Sequence, residues 1–260
     1  MRDDEVIYLM YHELEVEGRP TCRTGEGYLR YVVRQKRFLE QVRWLRSTAT
    51  QGRSVTQALE KQDAGQVVMT FDDGCETDLT VAAPILREAG FGATFYITLD
   101  FLGQPGYLTE RQVRELNEKE FEIGCHSMTH PYLPELSEVE VRREIVEAKH
   151  RLEQITGRAV VHFSCPGGGW TRRAAEIARE AGYRSVTTSR VGVNRLDSDR
   201  FALARVPIMR NSPLSEFRDL CQGRGLRKKQ LRNLLQTTVH GLLGNNLYDH
   251  IRSLILEKRS

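Results

Sequence analysis

Short apolar runs alternate with longer amphipathic ones along most of this chain. Val6-Ile7-Tyr8-Leu9-Met10-Tyr11 reads as a buried strand closed by His12, and the polar, glycine-bearing residues 13–27 read as a loop. Between Gln35 and Ser47, Phe38, Val42 and Leu45 recur at helical spacing. Ser54 stands where an N-cap would open a second, short helix. Val67-Val68-Met69-Thr70-Phe71 is the next strand, and a helix over about 78–89 follows, which admits Pro84 only by bending or beginning there. Gly92–Ile97 is a further strand, Thr109–Asn117 a helix, and Phe121–Cys125 a short strand that runs into His126. Ser137 and Glu140 make a capping box for the longest helix, which Gly157 ends after Thr156. Val160–Ser164, Arg173–Ala181 and Ser185–Thr188 then give strand, helix, strand. Repeated β-α alternation predicts a largely parallel sheet wrapped by helices, and a barrel or an open doubly wound sheet both fit.

Composition narrows this picture. A chain of 260 residues with 40% hydrophobic content can bury one substantial core. The net charge of +3 gives no case for a nucleic-acid partner, but its distribution is uneven: residues 221–260 hold eight Lys/Arg against two Asp/Glu. We therefore divide the chain into a domain at 1–220 and a basic helical extension at 221–260. In that extension Leu231, Leu234, Leu235, Val239 and Leu242 recur at helical spacing beside Arg227, Lys228, Lys229 and Arg232. One reading is a basic amphipathic helix drawn to a membrane surface or a lipid-linked glycan; the other, which we prefer, is a helix packed on the domain with its charges solvated. No apolar run reaches the ~20 residues of a membrane span, and the first residues lack the order of a secretory signal, so a cytoplasmic protein, in reach of the inner membrane surface, is expected. Five cysteines, odd in number and without a CxxC pair, argue against a disulfide framework.

Two runs carry candidate chemistry. In Thr70-Phe71-Asp72-Asp73-Gly74 an apolar strand stops at two adjacent carboxylates, and Gly74 permits a sharp turn just past the strand end. Carboxyl ends of parallel strands are where α/β active sites gather. Adjacent like charges separate into different roles only with a cation or a proton between them, which suggests one Asp as metal ligand and the other as base. In His126-Ser127-Met128-Thr129-His130 two histidines four apart would share a face if the stretch were helical. Two histidines and a carboxylate at strand ends suit a divalent metal with open positions for water.

These two runs resemble the first two signature motifs of the polysaccharide deacetylases, carbohydrate esterase family four, and Phe163-Ser164-Cys165-Pro166-Gly167-Gly168 falls where the third belongs. The resemblance, over roughly residues 6–210, implies a distorted (β/α) barrel and metal-dependent removal of N-acetyl groups from amino-sugar polymers. It implies Asp73, His126 and His130 as metal ligands, with zinc the expected ion, and Asp72 as general base. Three departures stand out. Ser164 replaces the Arg that orients the base, the later Asp-and-Trp motif has no clear counterpart, and only His240 matches the late Leu-x-His motif. These gaps are similar to the permuted poly-N-acetylglucosamine deacetylase branch, in which an early Tyr-His pair supplies the acid. That resemblance implies His12, after Tyr11, as catalytic acid in preference to His240, kept protonated by a nearby carboxylate. Arg205 is the candidate to orient the base, against the plainer reading of a solvated strand-end residue. The N–H of Cys75 is a candidate oxyanion donor, and Trp170 a candidate sugar platform or, equally, a core residue. Cys75, Cys125 and Cys165 are read as small buried neighbours of a pocket, not as ligands. Deformylation or hydrolysis of another small amide at the same site, and a carbohydrate-binding relative without turnover, are the competing functions.

Overall fold

The computed structural model describes residues 5–61, 65–226 and 230. His240, His250 and the leucine-bearing stretch 231–242 lie outside the described residues. The strands in chain order are β1 (Ile7–Tyr11), β2 (Leu14–Glu15), β3 (Val33–Arg34), β4 (Gln51–Arg53), β5 (Gln66–Phe71), β6 (Thr94–Ile97), β7 (Glu122–Cys125), β8 (His162–Ser164), β9 (Ser185–Thr187) and β10 (Val206–Pro207). Eight of them form one sheet in the order β10-β1-β5-β6-β7-β8-β9, with β4 paired to β5, and every pairing is parallel. β2 and β3 form a small separate pair within and after the segment expected to be a loop.

The sheet curls into a distorted barrel. Leu203, just ahead of β10, makes a parallel bridge to Thr187 at the end of β9, so the chain entering one edge strand touches the other edge. Leu203 N donates to Val186 O at 2.9 Å, and Thr188 N donates to Leu203 O at 2.9 Å. Of the two topologies the alternation allowed, this is the barrel-like one.

Alternation along the strands explains the layers. On β5, Val67, Met69 and Phe71 join the large core between sheet and helices, whereas Val68 packs in a smaller cluster with Tyr8, Tyr96 and Leu203. Both faces of β5 are buried, as expected of a parallel sheet, which is why its sequence is continuously apolar. By the same period of two, Thr70 and then Asp72 follow Val68 on the inner face.

The helices open as their polar signals predict. Capping boxes form at Ser54/Gln57, Thr109/Gln112 and Ser137/Glu140. Two helices differ from a plain α reading. Residues Asp78–Ala82 form a π turn, and the α-helix proper, Ala83–Ala89, starts with Pro84 in its first turn, where a missing N–H costs nothing. The long helix after Ser137 is interrupted by a π segment, Arg143–Glu147, before continuing as Ala148–Thr156.

Candidate active site

Register sets the site. Tyr11 pairs with Phe71, Ile97 with Cys125, and Cys125 with Phe163, so His12, Asp72, His126 and Ser164 all emerge at the carboxyl end of the sheet. Asp72 N donates to Tyr11 O and His126 N to Ile97 O, which continue the ladders one residue past the strands. Beyond this point the backbone leaves ordinary conformations. Asp73 has φ 81°, and Gly74 follows at φ 79° with Ile97 Cδ1 where a Cβ would come within 3.2 Å. Ser127 (φ 73°) and His130 (φ 64°) are left-handed too. Non-glycine residues in that region cost about 1–3 kcal/mol each, and such strain gathers at functional sites.

The segment 126–130 is not helical, so the two histidines do not share a helical face. Ser127 Oγ accepts from His130 N at 3.0 Å, and the turn brings the two rings to a centroid separation of 5.0 Å. Glu144 holds this turn from the π segment: its carboxylate, 5% exposed, accepts from Met128 N at 2.9 Å, Thr129 N at 2.8 Å and Thr129 Oγ1 at 2.9 Å. Nothing in the sequence singled Glu144 out. A π insertion shifts which face a helical residue presents, and ordinary helical periodicity does not reveal it.

Asp73, His126 and His130 come together, each offering one ligand atom, with all three atoms within 4.8 Å of one another. His126 Nε2 stands 3.5 Å and His130 Nε2 3.3 Å from Asp73 Oδ1. That oxygen is enclosed yet has no hydrogen-bond partner, so the imidazoles flank it without satisfying it. His126 Nδ1 lies 2.8 Å from Ser164 O; a carbonyl only accepts, so Nδ1 carries the proton and Nε2 presents a lone pair to the cluster. An orphaned carboxylate oxygen and an imidazole lone pair converging on one point fit a divalent cation.

Asp72 has a different environment. Arg205 Nη1 and Nη2 fork onto Asp72 Oδ1 and Oδ2, both at 2.7 Å. Nη2 also donates to Ser164 Oγ at 2.9 Å, Nη1 to Thr70 Oγ1 at 3.2 Å, and Nε to Thr188 O at 2.9 Å. At 1% exposure Arg205 is among the largest fully buried side chains, so the reading of a solvated strand-end residue is corrected. Its charge is tolerated inside because every N–H finds an acceptor.

The titration behaviour follows from these contacts. Burial would raise Asp72, but the Arg205 guanidinium outweighs it and holds the carboxyl below its ordinary range. Burial also opposes ionisation of Asp73, and the His130 imidazole overcomes it. Both aspartates are therefore carboxylates. Burial pushes His126 down to about 4, whereas Asp73 raises His130 despite burial.

His12 adjoins this group at the end of β1. Its Nδ1 is enclosed without a hydrogen-bond partner, and its ring lies 4.8 Å from that of Tyr31. Burial lowers its pKa and outweighs the upward pull of Asp73 and Asp72. The expectation that a nearby carboxylate keeps it protonated at rest is thus corrected. Cys75 is fully buried and bridges Tyr107; Leu108 N to Gly74 O and Glu76 N to Gly106 O bracket that bridge, which leaves the Cys75 N–H outside the ladder. Cys125 and Cys165 are buried as well. Trp170 is 38% exposed, and its indole N–H donates to Phe201 O at 2.6 Å.

A parallel barrel presenting such a cluster at the carboxyl end of its strands belongs among the α/β proteins built around a candidate metal centre. Comparison with known proteins makes the family specific. The polysaccharide deacetylase family model matches residues 60–186, the span that holds Asp72, Asp73, His126, His130 and Ser164. The Bacillus subtilis (strain 168) protein YxkH is 25% identical over 182 residues, 68% of this chain and 65% of its own. A chitooligosaccharide deacetylase of Azorhizobium caulinodans is 32% identical over 130 residues, 49% of this chain and 60% of its own. The chain therefore spans less than two thirds of the length of either relative. Among solved structures, the Streptococcus pyogenes deacetylase PplD in complex with acetate superposes with a TM-score of 0.73 at 22% identity, covering 84% of this chain and 98% of that one. Residues 60–186 therefore carry a polysaccharide deacetylase domain.

Proposed function

We propose that this protein is a metal-dependent N-deacetylase that hydrolyses the acetamide of N-acetylated amino sugars in a polysaccharide or lipid-linked glycan. One observation carries the reading: an Asp-His-His ligand set and a separately held carboxylate meet at the same strand ends. Asp73, His126 and His130 would hold the ion, and the nitrogen-rich, small donor set favours zinc. A divalent ion bound there lowers the pKa of water toward ~7 and polarises a carbonyl.

The remaining work falls to the chain's own groups. Asp72, kept ionised and aimed by the Arg205 fork, takes the proton of the attacking water. Using Arg205 to hold Asp72 leaves Asp73 free for the ion, which separates the roles of two adjacent carboxylates. The Cys75 N–H is available to the oxyanion that develops on the acetamide. An amine leaves poorly unless protonated, and His12 donates that proton. His12, which is partly buried, takes that proton from solvent before the amine leaves, and its lowered pKa then makes the imidazolium a ready donor. The Tyr31 ring, 4.8 Å from that of His12, flanks this acid on one side.

Acetate release from chitooligosaccharides and from poly-N-acetylglucosamine tests this reading. Acetate in proportion to new free amines supports it. Formate release from formylated sugars without acetate from acetylated ones would transfer the site to deformylation. Glycan binding with no product from either would leave a binding protein.

A further inference from the structure

A second cluster lies behind the catalytic turn. Glu13, Cys22 and Cys75 bring a carboxylate oxygen and two sulfurs within 4.8 Å of one another. Cys75 is fully buried one residue after Gly74, while Cys22 is only partly buried on the segment that follows β2. Both are held by their surroundings. Cys22 N donates to Glu13 Oε2 at 2.9 Å, Cys22 Sγ to Gly106 O at 3.0 Å, and the Tyr28 hydroxyl lies 3.5 Å from Cys75 Sγ. Glu13 is already engaged by Arg19 Nη1 at 2.7 Å and the Tyr28 hydroxyl at 2.8 Å as well as by Cys22 N, which favours joining the two sulfurs over capture of a metal.

We propose that Cys22 and Cys75 are a disulfide-forming pair that a hydroperoxide oxidises. The partly exposed Cys22 thiol takes the terminal oxygen of hydrogen peroxide, giving a sulfenic acid and one water. The Cys75 sulfur then attacks Cys22 Sγ, forming the S–S bond and expelling a second water. Two thiols are oxidised and one peroxide is reduced to two waters. The bond pins the segment carrying Arg19 and Arg23 to the turn that carries Asp72 and Asp73. Arg23 is part of the wall of the site: its guanidinium covers the Phe101 ring at 4.6 Å, and Phe101 stacks on His130 at 5.7 Å. The inference does not depend on which glycan is the substrate.

The test treats the full chain with hydrogen peroxide, alkylates it under denaturing conditions, and maps peptides by mass spectrometry. Alkylatable thiols should fall from the five in the sequence to three, with Cys22 and Cys75 in one cross-linked peptide that a phosphine reductant separates. Cys22→Ser, at a partly exposed position, should keep all four of its remaining thiols under the same treatment. Amide exchange over residues 16–25 should slow in the oxidised protein and recover on reduction. Five persistent thiols, over-oxidation of Cys22 with Cys75 still reduced, a bridge between other cysteines, or a zinc ion that shields both thiols would each overturn the proposal.

Discussion

Replacing Arg205 with lysine keeps the charge and removes the fork. All five guanidinium N–H donors are matched, by Asp72 Oδ1, Asp72 Oδ2, Ser164 Oγ, Thr70 Oγ1 and Thr188 O. An ammonium has three donors, so at least two of these buried acceptors lose their partner. Each orphan costs about 1–3 kcal/mol, which puts Arg205→Lys at about 2–6 kcal/mol of lost stability. Less of the fork's opposition to burial would remain, so the Asp72 pKa should rise, by one unit for every ~1.4 kcal/mol of differential stabilisation lost. Urea titration followed by circular dichroism measures the first quantity. The acid limb of kcat/KM for acetate release measures the second, and it should move to higher pH. An Arg205→Lys protein within about 0.5 kcal/mol of the parent, with its acid limb in place, would refute the view that Arg205 holds Asp72.

Glu144→Ala should unfasten the 127–130 turn, because Met128 N and Thr129 N lose a buried carboxylate. Stability should fall by about 2–4 kcal/mol and metal affinity by roughly 10–100-fold, read by urea titration and by competition with a chelator. His12→Gln should lower kcat by about 10²–10⁴-fold while leaving Tm almost unchanged, since His12 Nδ1 has no hydrogen-bond partner to lose. Unaltered acetate release would remove His12 from the mechanism. Asp72 and Glu122 both titrate below their ordinary values of 3.8 and 4.5, burial being outweighed by Arg205 in one case and His162 in the other. Depressed carboxylates add stability that is complete above those ordinary values and is lost as pH falls through the folded ones. Tm should therefore drop below about pH 4.5, and less steeply in Glu122→Gln, whose side chain sits far along β7 from the strand ends that bear the site.

Strand ends were the most legible part of this molecule. An apolar run that stops at His12, Asp72 or His126 announces both a buried strand and the end at which chemistry collects, because in a parallel sheet all such ends face the same way. Pro84 was equally informative, since it permits only a bend or a start, and the α-helix starts at Ala83. Arg205 was harder. Leu203-Ala204-Arg205-Val206-Pro207 looks like many exposed strand ends, and what buries Arg205 is a partner 133 positions earlier. Spacing alone does not distinguish a helical face from the turn between His126 and His130, because it carries no sign of φ; two left-handed residues bring the rings together. Residues 13–27 are polar enough to read as loop, yet Leu14 and Glu15 pair with Val33 and Arg34 through backbone atoms that composition does not report.

On the proposed function, a divalent ion held by Asp73, His126 and His130 is needed to remove the acetyl group. Elemental analysis of the purified chain, set beside acetate release by the same preparation, tests it most directly when repeated on Asp73→Asn. One equivalent of a divalent metal is expected in the parent, with a sharp loss of that metal in the variant and acetate release that falls with it. An Asp73→Asn protein that binds no metal and releases acetate at the parent rate would contradict it.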